Sequence, residues 1–505
     1  MKRIFLSISA LSMIVIAGCK KNFLDINQNP NSATFSTAQL TMPIALEGTG
    51  RYIQQSYIGG LGMWVGYYAT PNGFSKPNET YTYDISNTYL ATVWDNLYNN
   101  ITDLDYVEKQ AAGQNLPVYR AIAKVMKAYD YHQLVDLWDN VPYTEALQGS
   151  NNFAPKYDKG QAIYEDLVKQ IDTAIAIFKT GGAAASVSVS ADRAKIIMFN
   201  NYLTSAAAIP TFLNKWVKFS NTLKLMLLMN QSQMPGRDTY IKGELAGLTR
   251  ADFLDLTEDA LVNPVYQDVA GKYSPFFSVF VSAGTQAAPT YTDSYKSIKA
   301  SDYAITTYTN NGDTLRRAFY YTKPANNANW VGTIFGDPAG IANPANIGTP
   351  ILSSTAGAPT ITASESLFLQ AEAVQRGYIT GTAQTLYQDA IVASFTYDKI
   401  PNAAAAAAVF YNQPNAAVNW TLATDKIALI IGQKWAALNS IDILSVYNDY
   451  RRTGFPPVPL STDASSKGKI PVRMLYPQRE LQLNTANVNA EGTIAPLTQT
   501  VFWDK

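Results

Sequence analysis

Apolar residues recur along this chain at the spacing of a helix face, in runs joined by short turns. Between 117 and 137, Val118, Ile122, Val125, Tyr129 and His132 step by four and three, which sets them on one stripe of an α-helix. Segment 161–178 repeats the pattern with Tyr164, Leu167, Ile171, Ala174 and Phe178. There Asp158-x-x-Gln161 reads as a capping box and Gly181-Gly182 as the stop. A third stripe, Ile427, Ile431, Trp435 and Leu438, occupies 424–438. A fourth starts at the capping box Thr362-x-x-Glu365 and runs through Leu367, Ala371 and Val374 to Gly377; Ala383 to Phe395 supplies its partner after the turn. Segments 87–111 and 211–230 are helical by the same pattern. Helix, short turn, helix is the grammar of tetratricopeptide pairs, although no strict period of about 34 residues is visible. The expectation is a mainly α fold, a degenerate tetratricopeptide-like helical-repeat scaffold.

Residues 232–361 interrupt that pattern. They are rich in Pro, Gly, Asn, Thr and Tyr, with turns such as Asn310-Asn311-Gly312-Asp313 and Gly336-Asp337-Pro338. A long irregular stretch inside an ordered chain is more often functional than idle. This stretch is expected to be a large, loop-rich insert carrying the surface that varies with ligand.

The N-terminus carries an address. Met1-Lys2-Arg3 is basic, Ile4 to Ala17 is apolar apart from three serines, and Ile16-Ala17-Gly18 precede Cys19. This is the layout of a secretory signal, too short to span a bilayer, which takes roughly 20 apolar residues. Cysteine directly after Ala-Gly points to a bacterial lipoprotein, cleaved after residue 18 and acylated on Cys19. Each buried methylene of such chains contributes about 0.8 kcal/mol, so several chains make a permanent anchor. Residues 19–35, Asn-rich with Pro30, read as a tether, and 36–505 as one domain. No other apolar stretch approaches spanning length, which leaves the lipid as the only membrane attachment.

Composition excludes several chemistries. Cys19 is the only cysteine and His132 the only histidine, so disulfide frameworks, Ser-His-Asp and Cys-His mechanisms and His- or thiolate-rich zinc sites have no raw material. His132 falls on the apolar stripe of its helix and reads as a buried structural residue. With 39 basic and 39 acidic residues, and only 15% charged, nothing calls for nucleic acid. Neither a metal nor a cofactor is expected: no Asp-x-Asp-x-Asp-Gly loop is present, and Gly59-Gly60-Leu61-Gly62 lacks the spacing of a phosphate-binding loop. Carboxylate pairs of the kind glycosidases use are available only by proximity, at Asp103/Asp105 and Asp252/Asp255/Glu258/Asp259.

Several segments, in order, resemble one family. Phe23-Leu24-Asp25-Ile26-Asn27 with Asn29-Pro30-Asn31 is similar to its post-anchor leader. Leu134-Val135-Asp136 with Asp139-Asn140-Val141-Pro142-Tyr143, and Pro155-Lys156-Tyr157-Asp158, match its next stretch. Trp216 to Leu225, Ser364 to Gly377, Gln433-Lys434-Trp435, Tyr450-Arg451-Arg452-Thr453-Gly454-Phe455-Pro456 and Tyr476-Pro477-Gln478 with Glu480 and Asn484 follow. Together they resemble the SusD/RagB family of Bacteroidetes outer-membrane lipoproteins along essentially the whole chain. Tyr450 stands where that family has tryptophan. The resemblance implies a cell-surface, non-enzymatic protein that binds oligosaccharide and closes over a SusC-like TonB-dependent transporter. A peptide ligand, and further behind a carboxylate-dependent glycoside hydrolase, are the alternatives. Lys20-Lys21 precede the first acid at Asp25, unlike the acidic signal linked to surface export in these bacteria.

The chain holds 32 Tyr, 20 Phe and 8 Trp. Rings with an apolar body and a polar edge suit wet binding surfaces and cores alike. For a sugar ligand, flat rings beside amides are the natural platform. Trp64, Tyr67, Tyr68 and Tyr81 sit together in a glycine-rich stretch, and Tyr320, Tyr321 and Trp330 punctuate the insert beside Asn326, Asn327 and Asn329. These seven are the expected ligand-binding residues. Packed core remains the other reading for 63–68, and a plug pinning the loop the other reading for Trp330.

Overall fold

The structure is a computed structural model and describes residues 36–324, 329–348 and 352–504. The segments expected to be signal peptide and tether, Cys19 among them, and Asn326 and Asn327 lie outside the described residues. The chain divides into two units, 1–37 and 38–505, and the fold is that of the second.

The scaffold is built from α1 (Ala38–Ser56), α2 (Ala91–Gly113), α3 (Pro117–Trp138), α4 (Gly160–Phe178), α5 (Ile209–Asn230), α6 (Ala363–Gln375), α7 (Ala383–Tyr397), α8 (Ala403–Tyr411), α9 (Lys426–Ala437) and α10 (Ile443–Thr453). Helices α1 to α5 pack each on the next, α5 meets α6, α6 pairs with α7 and α7 with α8. Helix α9 lies on α6, and α10 touches both α9 and α5. This is the helical, tetratricopeptide-like architecture that the periodicity predicts. The stripes face inward as read: Ile122, Val125 and Tyr129 of α3, Leu167 and Ile171 of α4 and Ile431 and Trp435 of α9 are buried. A satellite core forms where α6 to α9 meet, around Leu367, Phe368, Tyr387, Phe395, Phe410 and Ile430.

Charged residues inside this scaffold are ion-paired or held by neutral hydrogen-bond donors, because an isolated buried ion costs several kcal/mol. Arg452 of α10 bonds Glu372 of α6 at 2.5 and 2.6 Å and Asp449 at 2.6 Å. Lys434 of α9 sits 3.1 Å from Asp449 and 3.6 Å from Glu365. Asp136 of α3 accepts from Asn448 at 2.6 Å, from the Trp503 indole at 3.0 Å and from Tyr164. Burial lowers the pKa of His132, whose Nε2 lies 4.0 Å from Asp136. The segments that carry the family resemblance are thus largely one another's internal partners.

Two helix-end expectations are corrected. Asp158 does not cap α4; its carboxylate accepts from the Tyr143 and Thr144 amides at 3.1 and 2.8 Å, and Lys159 holds the N-cap position without a side-chain bond. The α4 helix ends at Phe178, and Gly181-Gly182 open a further short helix capped by Thr180. At α6 half the box forms: Thr362 accepts from the Glu365 amide at 3.2 Å, while the Glu365 carboxylate turns inward to Ser445 at 2.6 Å.

The insert is more ordered than its composition suggested. It contains short helices at Pro275–Phe280, Asp293–Ser297, Asp302–Asn310 and Thr314–Tyr320 and a hairpin, Val281–Thr285 with Ala288–Tyr291. Residues that broke the periodicity act as caps: Thr292, Ser301 and Asp313 accept from the amides of Tyr295, Ala304 and Arg316. Antiparallel pairs stitch the insert together, Ala260–Val262 with Ala358–Ile361 and Tyr321–Thr322 with Asn346–Ile347. Another, Tyr68–Ala69 with Lys299–Ala300, ties it to the loop after α1.

Candidate functional site

Six of the seven aromatic residues expected to meet ligand are inside the core. Trp64, Tyr67, Tyr68, Tyr81, Tyr320 and Tyr321 are each at most 1% exposed. Their polar edges are taken up internally. The Trp64 indole donates to the Thr80 carbonyl at 2.9 Å, Tyr67 to that of Trp435 at 2.7 Å, Tyr320 to that of Ala437 at 2.8 Å and Tyr321 to that of Tyr67 at 2.9 Å. Tyr68 bonds Ser440, and the Tyr81 hydroxyl accepts from the Thr70 amide at 2.9 Å. A tyrosine can bury its ring and still satisfy a carbonyl that packing would otherwise strand. In this conformation Trp64 and Tyr81 tie the 61–83 segment to itself, the other four fasten it and the insert to the α9 end of the chain, and none offers a face to a ligand. The nearby glycines serve that packing: Gly66 has φ +82°, and a Cβ there would lie 2.6 Å from the Tyr303 ring.

Trp330 differs. It is half-buried against the main core, with the Arg317 guanidinium 4.6 Å from its ring centre and Lys323 at 5.9 Å. Features of both the platform and the plug are present.

Rings that do line an open cleft lie elsewhere, in a cavity of 420 Å³ bounded by the 71–74 loop, the end of the hairpin and residues 343–346. Tyr291 ends the second hairpin strand and Tyr295 lies in the short helix that follows the Thr292 cap. Their rings stack at 3.8 Å and 11°. Lys299, four further on, places Nζ 4.3 Å over the Tyr295 ring, so Tyr295 is covered by Tyr291 on one face and by the ammonium on the other. That ammonium donates to the Tyr295 carbonyl and to Asn346 Oδ1, each at 2.6 Å. Burial pushes its pKa down to about 8.

Across the cleft, Phe74 is 37% exposed. Its loop is pinned by Asn72, whose amide donates to the Ile341 carbonyl at 3.1 Å and whose side chain donates to that of Ala339 at 2.8 Å. This close approach needs Gly340, where φ is +60° and a Cβ would stand 2.7 Å from the Asn72 nitrogen. The exposed Phe74 and the half-buried Tyr291, with Asn72, Asn343 and Asn346 beside them, make a surface for a flat, hydroxylated ligand. Sequence reasoning missed Phe74, Tyr291 and Tyr295; the signal was the four-residue step Tyr291, Tyr295, Lys299 with a capping threonine inside it.

Two other clefts are less suited. One of 560 Å³ beside α2 and α3 is lined by paired charges, including Lys124–Glu108 at 2.7 Å and Lys127–Asp105 at 2.9 Å. One of 320 Å³ is walled by apolar groups such as Phe276, Phe319 and Ile441. Five of the six carboxylates singled out by proximity have structural work. Asp105 pairs with Lys127, Asp252 closes a capping box with Thr249, Asp255 holds Arg250 at 2.6 Å, Glu258 holds Lys215 and Lys218, and Asp259 accepts from the Ala363 amide at 2.9 Å. Among the described residues no group of three or more His, Cys, Asp or Glu is placed to hold a metal, and no helix is long and apolar enough to cross a membrane.

Known proteins give the fold its relatives. Residues 30–477 match the family model SusD-like_2, described as starch-binding associating with outer membrane. No curated protein matches the chain in sequence. Among solved structures, a chitin-binding SusD homologue from Flavobacterium johnsoniae aligns with a TM-score of 0.74 at 21% identity, over 93% of this chain and 98% of its own. A SusD homologue from Bacteroides uniformis aligns at 0.71 and 22%, over 93% and 100%. A SusD-like protein from Bacteroides thetaiotaomicron aligns at 0.70 and 20%, over 89% and 95%. With the family model covering most of its length, the chain belongs to the SusD-like family.

Proposed function

We propose that this protein captures oligosaccharide at the outer membrane and delivers it to a SusC-like TonB-dependent transporter, held to the membrane by lipid on Cys19. The observation that carries the reading is the open cleft with Tyr291 stacked on Tyr295, Phe74 opposite and three asparagines at its edge. Pyranose rings present apolar C–H faces rimmed by hydroxyls, which aromatic faces and amides match. A glycosidase would place two carboxylates about 5–10 Å apart at the scissile bond, and the described lining of this cleft contains none. That favours binding over hydrolysis. The family model's description as starch-binding and the chitin-binding relative point to the same ligand class. Trp330, the one of the seven expected rings that keeps solvent exposure, is retained as a proposed contact.

The test is isothermal calorimetry of the mature chain against malto-, chito- and other oligosaccharides, followed by Tyr291→Ala and Phe74→Ala. Each truncation should weaken binding roughly thirty-fold, the worth of one aromatic anchor, and Phe74→Ala, at an exposed ring, should do so at unchanged melting temperature. A broad glycan panel with no ligand retained would sink the reading. Co-purification of a TonB-dependent barrel with the tagged chain tests the transporter half.

A further inference from the structure

The lysines of this protein show an exception at the proposed binding cleft. Among the described residues five lysines are buried: Lys124, Lys215, Lys224, Lys299 and Lys434. Four have a carboxylate within ion-pair distance: Lys124 has Glu108 at 2.7 Å, Lys215 has Glu258, Lys224 has Glu244 at 2.9 Å, and Lys434 has Asp449 at 3.1 Å. Lys299, 9% exposed, has none; its two acceptors, the Tyr295 carbonyl and Asn346, are neutral. An ammonium has three donors, so one N–H and the whole charge are left over. Buried charges in proteins are otherwise paired or ligated.

The surroundings do not supply the missing anion. The cleft is lined by two lysines, Lys296 and Lys299, and by no described carboxylate. Lys296 reaches Asp293 at 3.0 Å, a pair in which both side chains are more than half exposed. Behind the 71–74 loop, Lys76 is engaged by the carbonyls of Thr70 and Pro71 at 2.9 and 2.8 Å. The charged cleft beside α2 and α3 is the contrast: there each buried or half-buried lysine has a carboxylate of its own.

Resting on the glycan-capture reading, we infer that the glycan taken in this cleft is anionic, with a uronic-acid carboxylate or a ring sulfate seated against Lys299 and Lys296. Such groups project from the edge of a pyranose. The ammonium covers the Tyr295 face opposite Tyr291, so the acid would reach it beside Asn346, past the edge of the stack, and not from a ring laid on Tyr291.

The experiment compares twins that differ only in charge: oligogalacturonate against its methyl ester, and a sulfated galactan oligosaccharide against its desulfated form. Neutral malto- and chito-oligosaccharides are included. One acidic member should bind about ten-fold or more tighter than its twin, the worth of a hydrogen bond to a charged group. That advantage should shrink between about 0.05 and 0.5 M salt. Which pair shows it identifies carboxylate or sulfate. Lys299→Gln keeps an amide donor without charge and should abolish the preference. Should that variant misfold, Lys296→Gln, at an exposed site, should still reduce the preference several-fold. A neutral glycan bound as tightly as the acidic ones, with affinity untouched by either variant, overturns the inference and leaves glycan capture standing. No glycan bound, charged or neutral, overturns both.

Discussion

Tyr67 and Trp435 hold each other twice: their rings stack at 5.0 Å and 28°, and the Tyr67 hydroxyl donates to the Trp435 carbonyl at 2.7 Å. The Trp435 indole in turn donates to the Val65 carbonyl at 2.8 Å. This clasp ties the loop after α1 to α9. Tyr321 continues it by donating to the Tyr67 carbonyl, so the insert hangs from the same joint.

Trp435→Ala should therefore cost about 3–5 kcal/mol, because it empties a 1% exposed site and strands the Val65 carbonyl. Urea unfolding measures it. A midpoint unchanged within error would mean that the α9 face does not bear on the 61–69 segment.

Trp330→Ala separates platform from plug when read beside Tyr291→Ala. Tyr291 lies in the cleft, so its truncation should lower glycan affinity by more than it lowers stability, since this ring also packs partly on the core. Trp330 packs partly on the core under Arg317, and its loss should lower both, with the smaller effect on affinity. Equal affinity loss for the two, with no change in stability at Trp330, would place Trp330 fully in the binding surface.

Asp130 gives the fold a pH dependence. It is buried, accepts from Asn100 at 2.7 Å and Thr49 at 3.2 Å, and burial raises its pKa to about 7. An unfolded aspartate titrates near 3.9. Below about pH 4 both states hold the proton and the contribution is fully present. From there to about pH 7 only the folded state holds it, so stability falls as pH rises. The slope is up to about 1.4 kcal/mol per pH unit. Melting curves from pH 5 to 8 should show a steeper decline for the natural chain than for Asp130→Asn, which carries no titrating proton; parallel profiles would remove Asp130 as the source.

Cys19→Ala should release the protein from membranes without unfolding it, since no helix of the described residues is able to span a bilayer. Detergent phase partitioning reads this out. A variant that stays in the detergent phase must have a second anchor.

The sequence by itself determined the helices and the family. The stripes of α3, α4 and α9 are local repeats whose period needs no knowledge of neighbours. The family segments survive as ordered words, and in the structure they meet as the Arg452–Glu372 and Lys434–Glu365 pairs. What only the tertiary structure decided is which aromatic rings face outward. Tyr67-Tyr68 and Tyr291…Tyr295 both sit in stretches broken by Gly, Pro and Thr, with nothing in the local pattern to separate them. The first pair is buried by the α9 end of the chain, from more than 350 residues away, and the second stays half-buried at the edge of the core, beside its own lysine and an open cleft. Burial depends on what arrives from elsewhere in the chain, so a residue's own neighbours in sequence cannot reveal it.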